Sequence, residues 1–431
     1  MSEIRDIAAQ FKSRFQKDEN RSLFNNFVAL FILQLINYAL PLLILPYLTQ
    51  KLGPSNYGKI AWAQYAIQYL IIFTDYGFNF SATRLVSVNR KDKNYLHSVF
   101  SSVMFIKLFL LILSYGLLLA WILFSNFGSQ EIFLLNISFL MVAGSVITPL
   151  WLFQGLEKMK WITWVNIVVK TLLVVFVFMF ITERKDVELT ATLLAFAQLA
   201  IGVLSFVLAL TQLKIKISIP SAKELFFQFK EGWFVFVSTL FTAIYVTSNG
   251  FLLGEWDGES AVGYYTPAEK IVRAVTSFFN PVMTALYPFI SKKFSEDKEQ
   301  ATRLFFKILK IVSVFTFIIS CFLFLLAPLA DDFLGSEYTN SIGVIKWLAF
   351  IPFFGTAGAM LSYHLFLNAG LKRWLPYLLG FLAAADILLC YFLIPKFHET
   401  GAAMALMIIE ITAPVMYLVV YYFYKTVNDK Y

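Results

Sequence analysis

The chain predicts an all-α, polytopic membrane protein of about 12 transmembrane helices. Three observations carry that expectation. Of 431 residues, 59% are hydrophobic and the mean hydropathy is +0.70, too apolar for a soluble domain. Apolar stretches near the ~20 residues that cross a bilayer recur along the whole length. The 35 Lys and Arg fall unevenly on the connections between those stretches.

The stretches lie at about 25–49, 57–79, 98–124, 131–153, 161–182, 189–211, 232–254, 262–290, 305–329, 341–367, 374–395 and 400–424. Runs of short alternating segments are missing, which favours a helical bundle over a barrel. With the N-terminus in the cytoplasm, twenty-five Lys and Arg lie in or beside inner connections. Five lie outside: Lys51, Lys59, Arg184, Lys185 and Lys396. That is the positive-inside asymmetry, and it puts both termini in the cytoplasm. The net charge of +8 therefore orients the protein and implies no nucleic-acid partner.

Taken in order, residues 1–22 are too polar for a cleavable signal peptide. Ile4, Ile7, Phe11 and Phe15 recur at helical spacing between basic residues, which predicts an amphipathic segment on the inner leaflet. Residues 23–212 hold six spans. The longest connection, 213–231, is broken at Pro220, and Ala222–Lys230 has the pattern of a short amphipathic helix. Residues 232–424 hold six more spans, and 425–431 form a cytoplasmic tail. Trp121, Trp151, Trp161, Trp164, Trp233, Trp256 and Trp374 fall near span ends, as an interfacial belt would. Cys321 and Cys390 both fall within spans, with neither disulfide nor metal spacing.

The halves resemble each other. Gly53-Pro54-Ser55-Asn56-Tyr57-Gly58 precedes span two, and Gly258-Glu259-Ser260-Ala261-Val262-Gly263 precedes span eight, 205 residues later. At the same offset Ala63-Gln64 aligns with Ala268-Glu269. Six-span halves entering from one side predict a parallel repeat about a pseudo-two-fold axis along the membrane normal.

Charges inside spans are costly and face protein or a water-filled space. Glu269, Lys270 and Arg273 interrupt span eight. Glu269 and Arg273 share one face at i, i+4, and Lys270 is turned by about 100° from Glu269. Either an ion pair or substrate contact accounts for the first two; substrate contact is favoured for Lys270. Lys107 in span three is close enough to its inner end to snorkel, whereas Lys170 in span five is too deep and is expected to face a cavity. Asp75 and Arg84 flank Gly77, whose break in span two would let them approach. Asp386 and Glu410 are read as partners of Lys346 or as carboxylates that couple transport to protons or sodium. Pro41, Pro46, Pro281 and Pro288 mark spans one and eight as the ones to bend. On this topology Glu269, Lys270 and Arg273 belong to the outer half of the bilayer, with Lys107 and Arg84 nearer the inner side.

LGPSNYGKIAWAQ (52–64), TDYGFNFSATR (74–84) and YYTPAEKIVRAVTSFFNPVMTALYPFIS (264–291) resemble the Wzx-type O-antigen flippases, a polysaccharide-transport branch of the multidrug and lipid exporter superfamily. The resemblance implies two six-helix lobes in a V-shaped exporter. It implies an undecaprenyl-pyrophosphate-linked oligosaccharide moved to the outer leaflet of the bacterial inner membrane, near other polysaccharide-assembly proteins such as a polymerase. It implies no catalytic residue, resident metal or cofactor. A pyrophosphate suits cations, which Lys107, Lys170, Lys270 and Arg273 supply. An ion-coupled small-molecule exporter of the same fold is the alternative, and a membrane-embedded sugar polymerase or transferase is third.

Overall fold

The computed structural model describes residues 18–428, and among these every regular element is helical. The amphipathic segment expected at residues 1–22 lies almost wholly outside the described residues. Helix α1 (Asp18–Asp75) is followed by α2 (Phe78–Val88), α3 (Lys93–Phe124), α4 (Ser129–Ile147) and the short α5 (Leu150–Gly155). Helices α6 (Met159–Phe180) and α7 (Val187–Thr211) complete the first half. The second half holds α8 (Ala222–Asp257), α9 (Glu259–Ser277), α10 (Asn280–Glu296), α11 (Lys298–Leu326) and the short α12 (Ala330–Leu334). It ends with α13 (Thr339–Leu348), α14 (Ile351–Met360), a π-helical turn at Leu361–Phe366, and α15 (Leu375–Asn428).

Seven helices among the described residues are long and apolar enough to cross a membrane, and an eighth if the pair bent by 40° around residues 349–350 is one span. The protein is a multi-pass membrane protein. Helix α9 carries too many charges to read as a span alone. Helix α15, at 54 residues, would reach about 81 Å if straight, far beyond the ~30 Å hydrocarbon core. It breaks at His398 (φ 54°), and a Cβ on Gly401 would stand 2.3 Å from the Leu393 carbonyl oxygen, so the chain folds back on itself there.

Helix α1, 58 residues long, breaks at Gly53 (φ 75°, ψ 170°), and α8 gives way to α9 at Gly258 (φ 91°, ψ 177°). Both glycines take the same left-handed, extended conformation that a side chain resists. They are the repeat positions, 205 residues apart. A Cβ on Gly58 would lie 1.8 Å from the Glu259 carbonyl oxygen, and one on Gly263 would lie 1.9 Å from the Pro54 carbonyl oxygen. The offset that maps 58 to 263 also maps 54 to 259, so the two motifs touch reciprocally, backbone on backbone.

Of the prolines expected to bend spans one and eight, Pro281 does coincide with a break. Pro41 and Pro46 lie within continuous helix. Span two breaks after Asp75, at Tyr76 and Gly77 (φ 48° and 74°), and span eight breaks at Phe278–Phe279, with Pro281 starting the next helix. The side chain of Pro288 lies outside the described ones. The expected boundary at 231 is also absent: Ser221 and Glu224 form a capping box, and α8 runs unbroken from Ala222 into span seven. Trp151 is fully buried against Phe100 and does not belong to an interfacial belt.

Replacing Gly58 or Gly263 by alanine is expected to lower stability by about 1–3 kcal/mol, an overpacking penalty, with a lower melting temperature for the purified protein. Gly116→Ala, where nothing lies within 4 Å, serves as the neutral control. At the break in α15, His398 Nδ1 is 2.7 Å from Asp257 Oδ1, and the hydrogen bond and charge of Asp257 raise the histidine's pKa. This contact is strongest below the ordinary histidine pKa and is lost as pH rises through the raised value. Melting temperature is expected to fall as pH rises past the ordinary histidine pKa of about 6.5, and His398→Asn, which tolerates the positive φ, to flatten that dependence.

Candidate functional site

The charged triplet of α9 faces the first half. Tyr65, on the arm of α1 after Gly53, donates its hydroxyl hydrogen to Glu269 Oε2, and Thr266 Oγ1 donates to the Tyr65 oxygen at 3.3 Å. Arg273 Nε donates to Glu269 Oε1 at 2.6 Å, and its Nη2 donates to the Val246 carbonyl of α8 at 3.1 Å. The ion pair is therefore internal to one helix, while its two ends tie that helix to two others. Glu269 is 5% exposed, whereas the Arg273 side chain keeps 30% of its surface. The arginine is therefore not sealed within the helix packing. Glu410 of α15 lies within electrostatic reach of it, with Glu410 Oε2 3.0 Å from where a Gly355 Cβ would stand.

Lys270 points elsewhere, as its 100° rotation requires. Its Nζ donates to Tyr57 OH at 2.9 Å and stands 5.3 Å from that ring's centroid. Lys170 donates to Asn37 Oδ1 at 2.6 Å, linking α6 to the first arm of α1. Both ammonium groups thus have neutral partners and keep their charge uncompensated by any ion pair among the described residues.

Lys107 does neither of the things expected of it. It is 1% exposed, so it neither snorkels nor faces a cavity. Its Nζ is 3.4 Å from Asp75 Oδ1 and 3.5 Å from the Ser145 carbonyl oxygen, inside the first half. Asn79 Nδ2 donates to Asp75 Oδ1 at 2.9 Å. The helix does break between Asp75 and Phe78, but no ion pair joins Asp75 to Arg84. The carboxylate is turned toward α3, and Arg84 is exposed on α2. Lys346 is likewise exposed and partners neither acid. Asp386 is fully buried and accepts from Asn249 Nδ2 at 3.2 Å on both oxygens, and Cys390 Sγ donates to Asn249 Oδ1 at 3.2 Å. Among the described residues no cluster of His, Cys, Asp and Glu has the makings of a metal site.

Sequence reasoning missed Tyr57, Tyr65, Thr266, Asn37 and Asn249. Neutral polar residues carry no hydropathy anomaly. The repeat held the one available signal, since aligning Gln64 with Glu269 sets Tyr65 beside the charged pair.

With this geometry in view, the wider relationships are informative. A profile of polysaccharide biosynthesis proteins matches residues 23–294. The chain belongs to that family. A protein of Escherichia coli (strain K12) named "Putative O-antigen transporter" is 28% identical over 394 residues, covering 90% of this chain and 94% of the relative. A Shigella dysenteriae protein of the same name is 26% identical over 90% of this chain and 96% of its own length. Among solved structures, an inward-facing multidrug resistance MATE family transporter of the MOP superfamily superposes with a TM-score of 0.74 at 15% identity, over 92% of this chain and 96% of that one. An outward-facing structure of such a transporter gives 0.61 at 16% identity, over 94% and 95%. At those identities the likeness establishes a MATE-like fold.

Asp75→Ala is expected to destabilise by about 3–5 kcal/mol because it strands a buried ammonium. The double variant Asp75→Ala/Lys107→Met is expected to melt higher than that single one. Equal melting temperatures would show that the pair does not hold the break in span two.

Proposed function

We propose that this polysaccharide biosynthesis family protein translocates a lipid-linked oligosaccharide unit across the bacterial inner membrane by alternating access. In this reading twelve spans form two six-helix lobes, both termini are cytoplasmic, and the anionic linkage of the carrier, an undecaprenyl pyrophosphate, crosses between the lobes. The relatives' names support the polysaccharide unit as cargo, and the fold supports transport rather than catalysis. The observation that carries the anionic headgroup is the pairing of Lys170 with Asn37 and of Lys270 with Tyr57. A cation whose partner is neutral has no carboxylate competing with a phosphate for it, whereas Lys107 and Arg273 are already matched by Asp75 and Glu269. The four cations expected to share this work therefore reduce to two, with Arg273 adding its accessible guanidinium edge.

A second reading has its own support. Asp386 with Asn249 and Cys390, and Glu410 near Arg273, put two carboxylates in the second lobe without a cationic partner at hydrogen-bonding distance. That suits coupling to a proton or sodium, either for this cargo or for a small molecule.

Lys170→Ala/Lys270→Ala is expected to cut surface polysaccharide roughly tenfold or more in a complemented deletion strain, given ~1.5–3 kcal/mol for each hydrogen bond to a charged group. Lipid-linked units should accumulate on the inner leaflet. Unchanged export with normal expression would overturn the anionic-headgroup assignment.

A further inference from the structure

Hydrogen bonds and ion pairs between the two halves are not spread evenly through the described residues. At the inner end they involve only the connection 213–221 and α8, as in Ser98 donating to Glu224 and Ser218 N donating to Ser101 Oγ at 2.9 Å. Midway, Tyr65, Tyr69 and Tyr57 of α1 bond to Glu269, Ser248 and Lys270, and at the outer end α1 bonds to the short α12 and the start of α9. Thr49 Oγ1 donates to the Leu334 carbonyl at 2.8 Å, Gln50 Nε2 to the Phe333 carbonyl at 3.3 Å, and Lys59 Nζ lies 3.8 Å from Glu259 Oε2.

The centre of this outer seam is Arg184, in the loop between α6 and α7. Two first-half contacts build its loop: Asn56 Nδ2 donates to the Arg184 carbonyl at 2.9 Å, and Asp186 accepts the backbone N–H groups of Thr182 and Glu183 at 2.9 Å each. Those two donors hold the Asp186 carboxyl below its usual pKa range, so the loop keeps its shape across ordinary pH. The Arg184 guanidinium then pairs with Glu337 of the second half. Both groups lie over Gly53: a Cβ there would meet Glu337 Oε2 at 3.0 Å and Arg184 Nη1 at 3.5 Å. The carboxylate therefore also sits at the start of the arm of α1 that follows Gly53, the positive end of that helix. Glu337 is in turn fixed by a short helical turn in which Tyr338 N donates to the Gly335 carbonyl at 2.9 Å. The pair lines a pocket of about 380 Å³ that includes Leu52, Asn56 and Tyr264.

We propose that Glu337 is a latch: a carboxylate tethered to the second half and seated against Arg184 and the start of span two, which must leave for the outer side to open. It acts above the candidate site. Beneath it the rings of Tyr264 and Tyr338 pack 6.1 Å apart, and Tyr57, the partner of Lys270, is 5% exposed. The inference rests on the alternating-access reading. It needs no assumption about cargo, and its test contains none.

The test uses the full chain in vesicles with a reporter thiol at Thr266, which is 2% exposed and bonded across the seam to Tyr65. A membrane-impermeant maleimide is applied from the outer side to Cys321→Ser/Thr266→Cys protein. Protein without the Thr266 thiol is the blank, since Cys390 is fully buried. Glu337→Gln and Arg184→Ala are each expected to raise the labelling rate about two- to fivefold, the range one partly exposed ion pair supports. Arg184→Glu is expected to raise it most. Adding Glu337→Arg to Arg184→Glu should bring the rate back below that of either reversal alone, though not fully, because an arginine at 337 faces the positive helix end. Rates unchanged by Glu337→Gln and Arg184→Glu would overturn the latch. So would a double reversal whose rate is the product of the two single effects. If labelling responds as expected while Lys170→Ala/Lys270→Ala leaves export intact, the latch stands and the cargo assignment falls.

Discussion

Everything in this molecule hangs on two helices that touch without side chains. Gly58 lies on the Glu259 carbonyl and Gly263 on the Pro54 carbonyl. In a bilayer there is no hydrophobic gain in pressing one apolar helix on another, so close packing through small residues must supply the attraction. The contact is reciprocal: each motif meets the backbone of the other at the matching position. It brings α9 within reach of the arm of α1 after Gly53, and only then do Tyr65 and Glu269, or Tyr57 and Lys270, become partners. The same device recurs inside the first half, where a Cβ on Gly144 or Gly202 would run into the facing backbone. Glycine thus sets the distances, and the polar contacts follow from them.

The charges divide by what they meet once those distances are fixed. Lys107 meets Asp75 beside the break in span two, where a carboxylate and an ammonium stabilise a sharp change of direction. Arg273 meets Glu269 on its own helix and is left half-committed, with an accessible edge. Lys170 and Lys270 meet an amide and a phenol, which fix their positions without cancelling their charge. Each of these two cations is therefore held in place by a partner that does not compete for an anion. Fixed dipoles are useful for the same reason in any site that must recognise charge away from bulk water.

Much of the fold was legible because membrane insertion writes strong signals, here apolar length and repeated glycines. The GxSxxG pair was the most telling of these, since its backbone conformation and its contact both return in the structure. The site was less legible. Charge in a span announces that a partner exists without naming it, because the partner is set by helix rotation and crossing. Asp75 is nine residues from Arg84 yet reaches Lys107, thirty-two residues away, since the Tyr76–Gly77 break turns α2 aside. Proline misled for a related reason. Pro41 and Pro46 are absorbed within helix, whereas Gly53, Gly77 and Gly258 supply the positive φ that a reversal needs.

The distribution of contacts between the halves bears on the state the protein is in. The backbone carbonyls of Phe333 and Leu334, in the second half, are met by the side chains of Gln50 and Thr49 from α1. Separating the halves at this seam would hand those groups to water. At the opposite end the connection 213–221 and α8 do the bridging. Its first turns are pinned to α3 through Ser98, Tyr76 stacks on Phe236, and its far end is bound to α15 through Asn249 and Asp257. That far end also reaches the first half, where Trp62 Nε1 donates to Glu255 and Tyr69 OH pairs with Ser248 Oγ. Helix α8 is therefore bonded to both halves along its length, and Arg273 joins α9 to it at the Val246 carbonyl.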